Sequence, residues 1–146
     1  MLSSFFNIPT KLKFKKFHKS STFSLQPELS FISPTRGNVV VLKATTSGRL
    51  SSAHLEAARK VLRRKLKKTG TINSFAYPSI SITKKPLAVR MGKGKGAVDS
   101  WIFPVRPGRL LFEVSNAPVE LGAEALQMAG KKLPLASKVY VLDNLI

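Results

Sequence analysis

The hydrophobic positions of the chain predict two helices. The first has four apolar residues at helical spacing: Leu55, Ala58, Leu62 and Leu66. Ser51 is a suitable N-cap for it, and Gly70 lies where a C′ glycine would end it. The second helix is predicted from about Pro118 to Lys131, with a proline at its start. Its inward-facing residues are expected to be Leu121, Ala125, Met128 and Ala129.

Short apolar and β-branched runs predict strands at 39–42, 72–77, 80–83, 101–105, 110–114 and 139–141. The segment 106–109 places proline and glycine as a type II turn requires, which predicts a hairpin between the strands on either side of it. Pro104 indicates an edge strand or a bulge. Strands and helices do not alternate in βαβ fashion. The predicted fold class is therefore α+β, with two helices packed on a mixed, mostly antiparallel sheet.

The charge of the chain indicates that this small domain has a polyanionic partner. The 146 residues include 25 Lys and Arg but only 7 Asp and Glu, so the net charge is +18. Such an excess destabilises the compact state by self-repulsion and is typical of proteins that bind nucleic acid or an anionic membrane surface. No apolar run approaches the roughly 20 residues that span a bilayer. The chain has no cysteine, which excludes disulfides and thiolate metal sites.

The charge also divides the chain. Residues 1–38 are predicted to be an extended basic N-terminal arm and connector, and residues 39–146 a single globular domain. Lysines in the arm alternate with Leu12, Phe14 and Phe17, and two interpretations stay open: an organelle-targeting segment, or an arm bound to RNA. With few core-forming residues for its charge, the arm is expected to become ordered only on RNA.

Two further clusters of cations lie in the body. The first predicted helix carries Arg59, Arg63, Arg64, Lys67 and Lys68, with Glu56 as the only acid among its cations. Unpaired like charges at i,i+4 repel each other, so this face is expected to contact an anion. The segment 84–96, here called the Gly/Lys loop, contains five cations and no carboxylate. Its alternating glycines let a backbone approach phosphates closely, and the stem of Arg90 is expected to be held by packing.

The same glycines do not predict a nucleotide-binding enzyme. Gly92, Gly94 and Ala97 match the spacing of the dinucleotide fingerprint, but a strand-like segment follows them where that motif needs a helix. No acid is visibly paired with a base or a nucleophile. The sequence therefore predicts a protein that is not an enzyme and that uses no cofactor and no metal.

The order of residues 85–96, Lys-Pro-Leu-Ala-Val-Arg-Met-Gly-Lys-Gly-Lys-Gly, resembles the signature of large-subunit ribosomal protein sixteen, the universal uL-sixteen family. Residues 48–59 resemble the first helix of that family, residues 107–113 its hairpin and residues 125–135 its second helix. Residues 9–19 are similar to its basic N-terminal arm. The resemblance covers nearly the whole chain in the same order.

This resemblance implies a structural constituent of the large ribosomal subunit that binds large-subunit rRNA near the aminoacyl-tRNA site and the peptidyl-transferase region. Its implied partners are rRNA, tRNA in the aminoacyl site and neighbouring ribosomal proteins. The alternative is a non-ribosomal basic protein that binds RNA or an anionic membrane surface. The residues expected to contact RNA are Lys11, Lys13, Lys15, Lys16, His18, Lys19, Arg49, Arg59, Arg63, Arg64, Lys67, Lys68, Lys84, Lys85, Arg90, Met91, Gly92, Lys93, Gly94, Lys95 and Gly96.

Departures from the family pattern bear on the compartment. Residues 20–25 replace the glycine and arginines that usually continue the family arm, and residues 97–100 replace its usual turn. Such divergence around an intact signature favours an organellar ribosome, with the mitochondrion preferred over the plastid or a bacterial cytoplasm. Residues 1–8 are short for a transit peptide, which favours an organelle-encoded protein.

Overall fold

A computed structural model describes residue 9, residues 12–18 and residues 39–142. The candidates Lys11 and Lys19, and the other residues of the predicted arm and connector beyond residue 9 and residues 12–18, lie outside the described residues. The elements of the body are β1 (Val39–Ala44), β2 (Gly48–Ser51), α1 (Ser52–Leu66), β3 (Thr71–Ser74), β4 (Ile80–Lys84), β5 (Ala97–Val105), β6 (Leu110–Ser115), α2 (Val119–Gly130) and β7 (Ser137–Leu142).

The strands form two antiparallel sheets rather than one mixed sheet. The larger sheet has the order β3-β6-β1-β7, and the smaller has the order β2-β5-β4. Every strand pair among the described residues is antiparallel. The predicted α+β class, with two helices packed on antiparallel sheets, is confirmed.

The turn at 106–109 has its predicted geometry but not its predicted partners. Gly108 has φ +84°, and the N–H of Arg109 donates to the carbonyl of Arg106 at 3.2 Å, as in a type II turn. However, β5 and β6 do not pair, because they belong to different sheets. Gly108 and Arg109 instead bond to Ala44, at the end of β1. The predicted hairpin is wrong, and the turn carries the chain from one sheet to the other.

Pro104 lies in the central strand of the smaller sheet, so the expectation of an edge strand is also wrong. The carbonyl of Ile102 accepts from Ser79 on the β4 side, and Pro104, two residues further on, faces the same side. Because β4 begins at Ile80, opposite Ile102, its ladder does not reach Pro104. The N–H that proline lacks therefore costs no ladder bond at this position.

The helix α1 has the buried face that its spacing predicts: Leu55, Ala58, Leu62 and Leu66. Each fully buried leucine contributes roughly 1.5–3 kcal/mol by leaving water. In α2 the buried residues are Gly122, Ala125, Leu126 and Ala129, whereas Met128 is exposed, contrary to its predicted inward position. The two helices pack against each other, and one core joins them to β1, β6 and Leu50 of β2.

The ends of α1 are set by side-chain and backbone bonds. The N–H of His54 donates to Ser51 Oγ at 3.4 Å, and the N–H of Ser51 donates to His54 Nδ1 at 3.3 Å, which makes a reciprocal capping box. The helix ends at Leu66, before the predicted stop at Gly70, because Lys67 is already left-handed (φ 46°). Its exposed C-terminal cations therefore lie partly on the turn that leads to β3.

Candidate nucleic-acid interface

The Gly/Lys loop connects β4 to β5 as a long hairpin loop, since these strands pair from Ile80–Ile102 to Lys84–Ala97. Its apolar residues do not continue the strand β4. The N–H of Val89 donates to the carbonyl of Pro86 at 3.2 Å, which closes a turn beyond the end of the ladder. Leu87 and Met91 are 101% and 94% exposed, and Arg90 is exposed as well, so packing does not hold its stem.

The glycines of this loop have two different roles. Gly92 (φ 98°) and Gly94 (φ 83°) are left-handed with open space around them, and Lys93 between them is also left-handed (φ 54°). A Cβ on Gly96 would lie 2.6 Å from the carbonyl oxygen of Lys84. Gly92 and Gly94 therefore shape an open tip, whereas Gly96 permits the close approach of the two chains at the base.

The cations of the loop also divide into two groups. Lys85 Nζ donates to the carbonyl of Gly92, so this ammonium group stabilises the fold of the loop. Lys84, Arg90 and Lys93 are exposed, and within the described part of the chain their side chains make no hydrogen bond or ion pair. These three side chains are available to an external anion.

The described arm segment, residues 12–18, lies against the smaller sheet and the loop. Ser81 Oγ, on a residue that is 7% exposed, donates to the carbonyl of Lys15 at 2.5 Å. Lys16 Nζ donates to the carbonyl of Lys95 at 3.0 Å, and Lys95 Nζ donates to the carbonyl of Phe17. These bonds connect the arm segment to the body. That the arm becomes ordered only on RNA stays a prediction. Residues 12–18 and 84–96 are called the arm–loop surface below.

The arm segment adds its own exposed groups to this surface. Lys13, Lys15 and His18 are exposed, and the Lys13 ammonium lies 5.6 Å from the centre of the Phe14 ring. Among the described residues, none of the members of the arm–loop surface is acidic. A polyanion would therefore meet attraction across both of its segments.

The α1 cations form a separate basic region. Arg63, Arg64, Lys67 and Lys68 are exposed, and among the described residues none of them is hydrogen-bonded to the arm or to the loop. Arg59 is half-buried, and Arg49 lies on β2; each is engaged in a further contact. The candidates thus lie in two basic regions rather than one.

Two other cations of α1 are paired with acids. Lys60 bonds to Glu56 at 2.9 Å, one turn earlier in α1, and Lys65 bonds to Glu124 of α2 at 2.8 Å. These exposed pairs contribute little to stability, typically 0–1 kcal/mol each. The first relieves part of the repulsion predicted along α1, and the second links the two helices.

Comparison with known proteins identifies the chain. A family model described as ribosomal protein L16p/L10e matches residues 9–140. The chain belongs to this family. A protein named large ribosomal subunit protein uL16 from Staphylococcus epidermidis is 40% identical over 138 residues, which cover 94% of each chain. One of the same name from Psychrobacter arcticus is 39% identical over 131 residues, 90% of this chain and 93% of that protein.

Membership in the L16p/L10e family confirms the resemblance found in the Gly/Lys loop, and it decides against a non-ribosomal basic protein. The matched region includes both basic regions and the described arm segment. None of the helices in the described part of this family member is long and apolar enough to cross a membrane.

Sequence reasoning missed Ser81, which fixes the arm to the smaller sheet. Ser81 lies in a short run that alternates serine with isoleucine, and its polar position in a strand predicts a solvent-facing side chain. Its partner, Lys15, is 66 residues away in the sequence, so no local pattern links them. The sequence therefore contains no signal that would have found this contact.

Proposed function

We propose that this L16p/L10e family member binds large-subunit rRNA through the arm–loop surface, near the aminoacyl-tRNA site and the peptidyl-transferase region, and that it contacts tRNA there. Family membership makes the chain a structural, non-enzymatic constituent of the large ribosomal subunit. In this proposal residues 39–146 act as one rRNA-binding domain, and residues 1–38 extend it.

The observation that carries the proposal is the bonding between arm and loop. Lys16 and Lys95 each donate to a carbonyl of the other segment, so two stretches nearly 80 residues apart present their charges together. Lys84, Arg90 and Lys93 are left for the partner. Exposed cations on a backbone with left-handed glycines suit phosphate contacts, which position a protein on RNA without reading its sequence.

The test is reconstitution of large subunits that lack this protein with the full chain or with a triple variant. Replacing Lys84, Arg90 and Lys93 with glutamine should reduce incorporation, which sedimentation measures, and tRNA binding to the aminoacyl site of the completed ribosomes. The matched control replaces Lys131, Lys132 and Lys138, three exposed lysines outside the arm–loop surface, with glutamine. It removes the same charge.

The control should incorporate normally. Equal losses in both triple variants would mean that net charge rather than this surface directs binding, and the assignment of the site would then be wrong. Normal incorporation combined with normal tRNA binding for the loop variant would also overturn the proposal.

We propose further that the ribosome is mitochondrial, with a plastid or a bacterial cytoplasm as the alternatives. The support is the divergence at 20–25 and 97–100 around an intact signature. The relatives described above are bacterial. Locating the full chain by cell fractionation, followed by sedimentation of the organelle ribosomes, tests this assignment. Its recovery with plastid or bacterial large subunits would contradict it.

A further inference from the structure

A concave groove runs between α1 and the edge strand β3, apart from the arm–loop surface. It consists of two adjoining cavities, of about 270 Å³ and about 610 Å³, that share Arg59, Ile72 and Asn73 in their walls. We infer that this α1–β3 groove binds one unstacked nucleotide of the large-subunit rRNA, with the base in the smaller cavity and the phosphates along the larger one. The inference rests on the proposed rRNA-binding function and names a second site for it.

The smaller cavity has an apolar floor and an aromatic wall. Leu55, Ala76 and Phe112, which line it, all belong to the buried core. Tyr77 stands beside them and is 43% exposed. The cavity is near the lower size limit of ligand pockets, roughly 300 Å³, which suits one flat ring better than a helix or a folded segment of protein. Unstacked RNA bases are commonly bound on aromatic side chains in this way.

The edge strand supplies hydrogen-bonding groups to the same cavity. Phe75 N–H donates to the carbonyl of Leu111 in β6 at 3.1 Å, so odd-numbered residues of β3 direct their backbone groups toward β6. The backbone groups of Ile72 and Ser74 therefore point away from the sheet. Because β3 is an edge strand, its described sheet has no strand on that side. Ile72 and Ser74 both line the smaller cavity, where these groups can bond to the edge of a base.

The larger cavity carries the charge for the phosphates. Arg63 and Lys68 line it, and Arg59 lies between the two cavities. Among the residues that the structure describes, none that lines either cavity is acidic. The nearby carboxylate of Glu113 is buried and accepts from the Asn73 amide at 3.1 Å, so it is not presented to a ligand. Three cations in one concavity favour an anion.

An acidic peptide could also satisfy the cations and pair with the edge of β3. The apolar floor and the Tyr77 ring favour the nucleotide, because a peptide strand that pairs with the edge of β3 would leave the smaller cavity unfilled. The two occupants can be separated by experiment.

The experiment compares Tyr77→Leu with Phe75→Leu in reconstituted large subunits. Both aromatic rings are 43% exposed and both lie between β3 and β4, but Phe75 does not line either cavity. Chemical probing of base edges on the rRNA should find a nucleotide that the wild-type chain protects. Tyr77→Leu should weaken its protection by roughly fivefold or more, the low end for loss of one base–aromatic stack. Phe75→Leu should leave it protected.

A second matched pair tests the phosphate contacts. Arg63→Gln should weaken protection of the same nucleotide, whereas Lys60→Gln, which also removes one positive charge from the same helix but lies outside the cavity linings, should not. Thermal unfolding of each free variant shows whether it is folded. If folded Tyr77→Leu protects every base as the wild type does, or if the members of each pair behave alike, the inference is wrong.

The photo-reactive variant Tyr77→benzoylphenylalanine identifies the occupant. A cross-link to rRNA is expected, and a cross-link to a ribosomal protein would overturn the inference. Failure here is distinct from failure of the proposed function. If the arm–loop variant loses incorporation while the groove variants change nothing, only the groove assignment falls. If the wild-type chain protects no rRNA at all, the proposed function itself is wrong.

Discussion

The two basic regions of the molecule present their cations on very different supports. The arm–loop surface is exposed, and lysine ammonium groups bonded to backbone carbonyls hold it together. The α1–β3 groove rests on core residues and ends at an aromatic ring. Charge alone indicates a polyanion in both places. The support beneath the charge determines whether the ligand is held by its phosphates or also by a base.

The largest effect is expected from the arm–loop surface. The triple variant in which glutamine replaces Lys84, Arg90 and Lys93 should lower affinity for an rRNA fragment and for an unrelated structured RNA to a similar degree. Each lost phosphate contact removes roughly 0.7–0.9 from the slope of log K against log salt, so the slope should fall by roughly 2–3. This corresponds to roughly 100-fold in affinity at about 0.15 M salt.

Filter binding over a salt series measures both quantities. Tyr77→Leu is the contrast, because loss of a ring should leave the salt slope unchanged. A loss of affinity that is confined to one RNA sequence would show that the loop cations read bases, and the distinction between the two regions would then disappear.

The next largest effect is a loss of stability caused by a substitution at the base of the Gly/Lys loop. Gly96→Ala should reduce the free energy of unfolding by roughly 1–3 kcal/mol, because its Cβ would meet the Lys84 carbonyl oxygen at 2.6 Å and overpack the base of the hairpin. Gly94→Asn is the control, since asparagine tolerates a left-handed conformation and the space around Gly94 is open. Chemical denaturation of the free proteins measures both. Equal stability of the two variants would mean that the base of the loop relaxes freely.

Local patterns in the sequence predicted those parts of the fold that depend on local spacing. The four buried leucine and alanine positions of α1 and the φ of Gly108 follow from helix periodicity and turn chemistry. Local patterns could not predict which strands pair with β5. The turn after β5 makes its backbone hydrogen bonds to Ala44, at the end of β1, and so does not join β5 to β6 in a hairpin. The partner of a strand can come from any part of the chain, so neighbouring strands in the sequence do not always pair.

The candidate site divides in the same manner. The Gly/Lys loop could be predicted from the sequence because its glycines and cations lie in one continuous segment. The α1–β3 groove did not, since Tyr77, Ile72 and Arg63 come from separate elements and become neighbours only when β3 pairs with β6 beside α1. The segment 72–77 predicts only a strand, and nothing in it indicates a ligand-binding groove.

A smaller effect is expected where the arm meets the body. Ser81→Ala removes the donor to the Lys15 carbonyl, a bond worth roughly 0.5–1.5 kcal/mol, and should release the arm segment. Trypsin cleavage after Lys15 and Lys16 of the free protein should accelerate by roughly fivefold, because cleavage follows the population of the open form. Ser79→Ala is the control, since Ser79 is exposed and uses its backbone rather than its side chain. Identical rapid cleavage in the wild type and both variants would support an arm that is ordered only on RNA.

The smallest effect concerns the geometry of charge at the tip of the loop. Arg90 and Lys93 are both exposed, and neither has a partner in the described part of the chain. Arg90→Lys and Lys93→Arg each conserve charge, so simple phosphate attraction predicts no change in either. A guanidinium group, however, can grip a phosphate with two parallel bonds or stack on a base, and an ammonium group can do neither. Arg90→Lys should therefore lower the rate of peptide synthesis by reconstituted ribosomes by roughly two- to fivefold, equivalent to about 0.5–1 kcal/mol, while Lys93→Arg stays near the wild type. If both variants match the wild type at low and at high salt, the tip of the loop acts only as a cluster of point charges. Base contacts would then be confined to the α1–β3 groove.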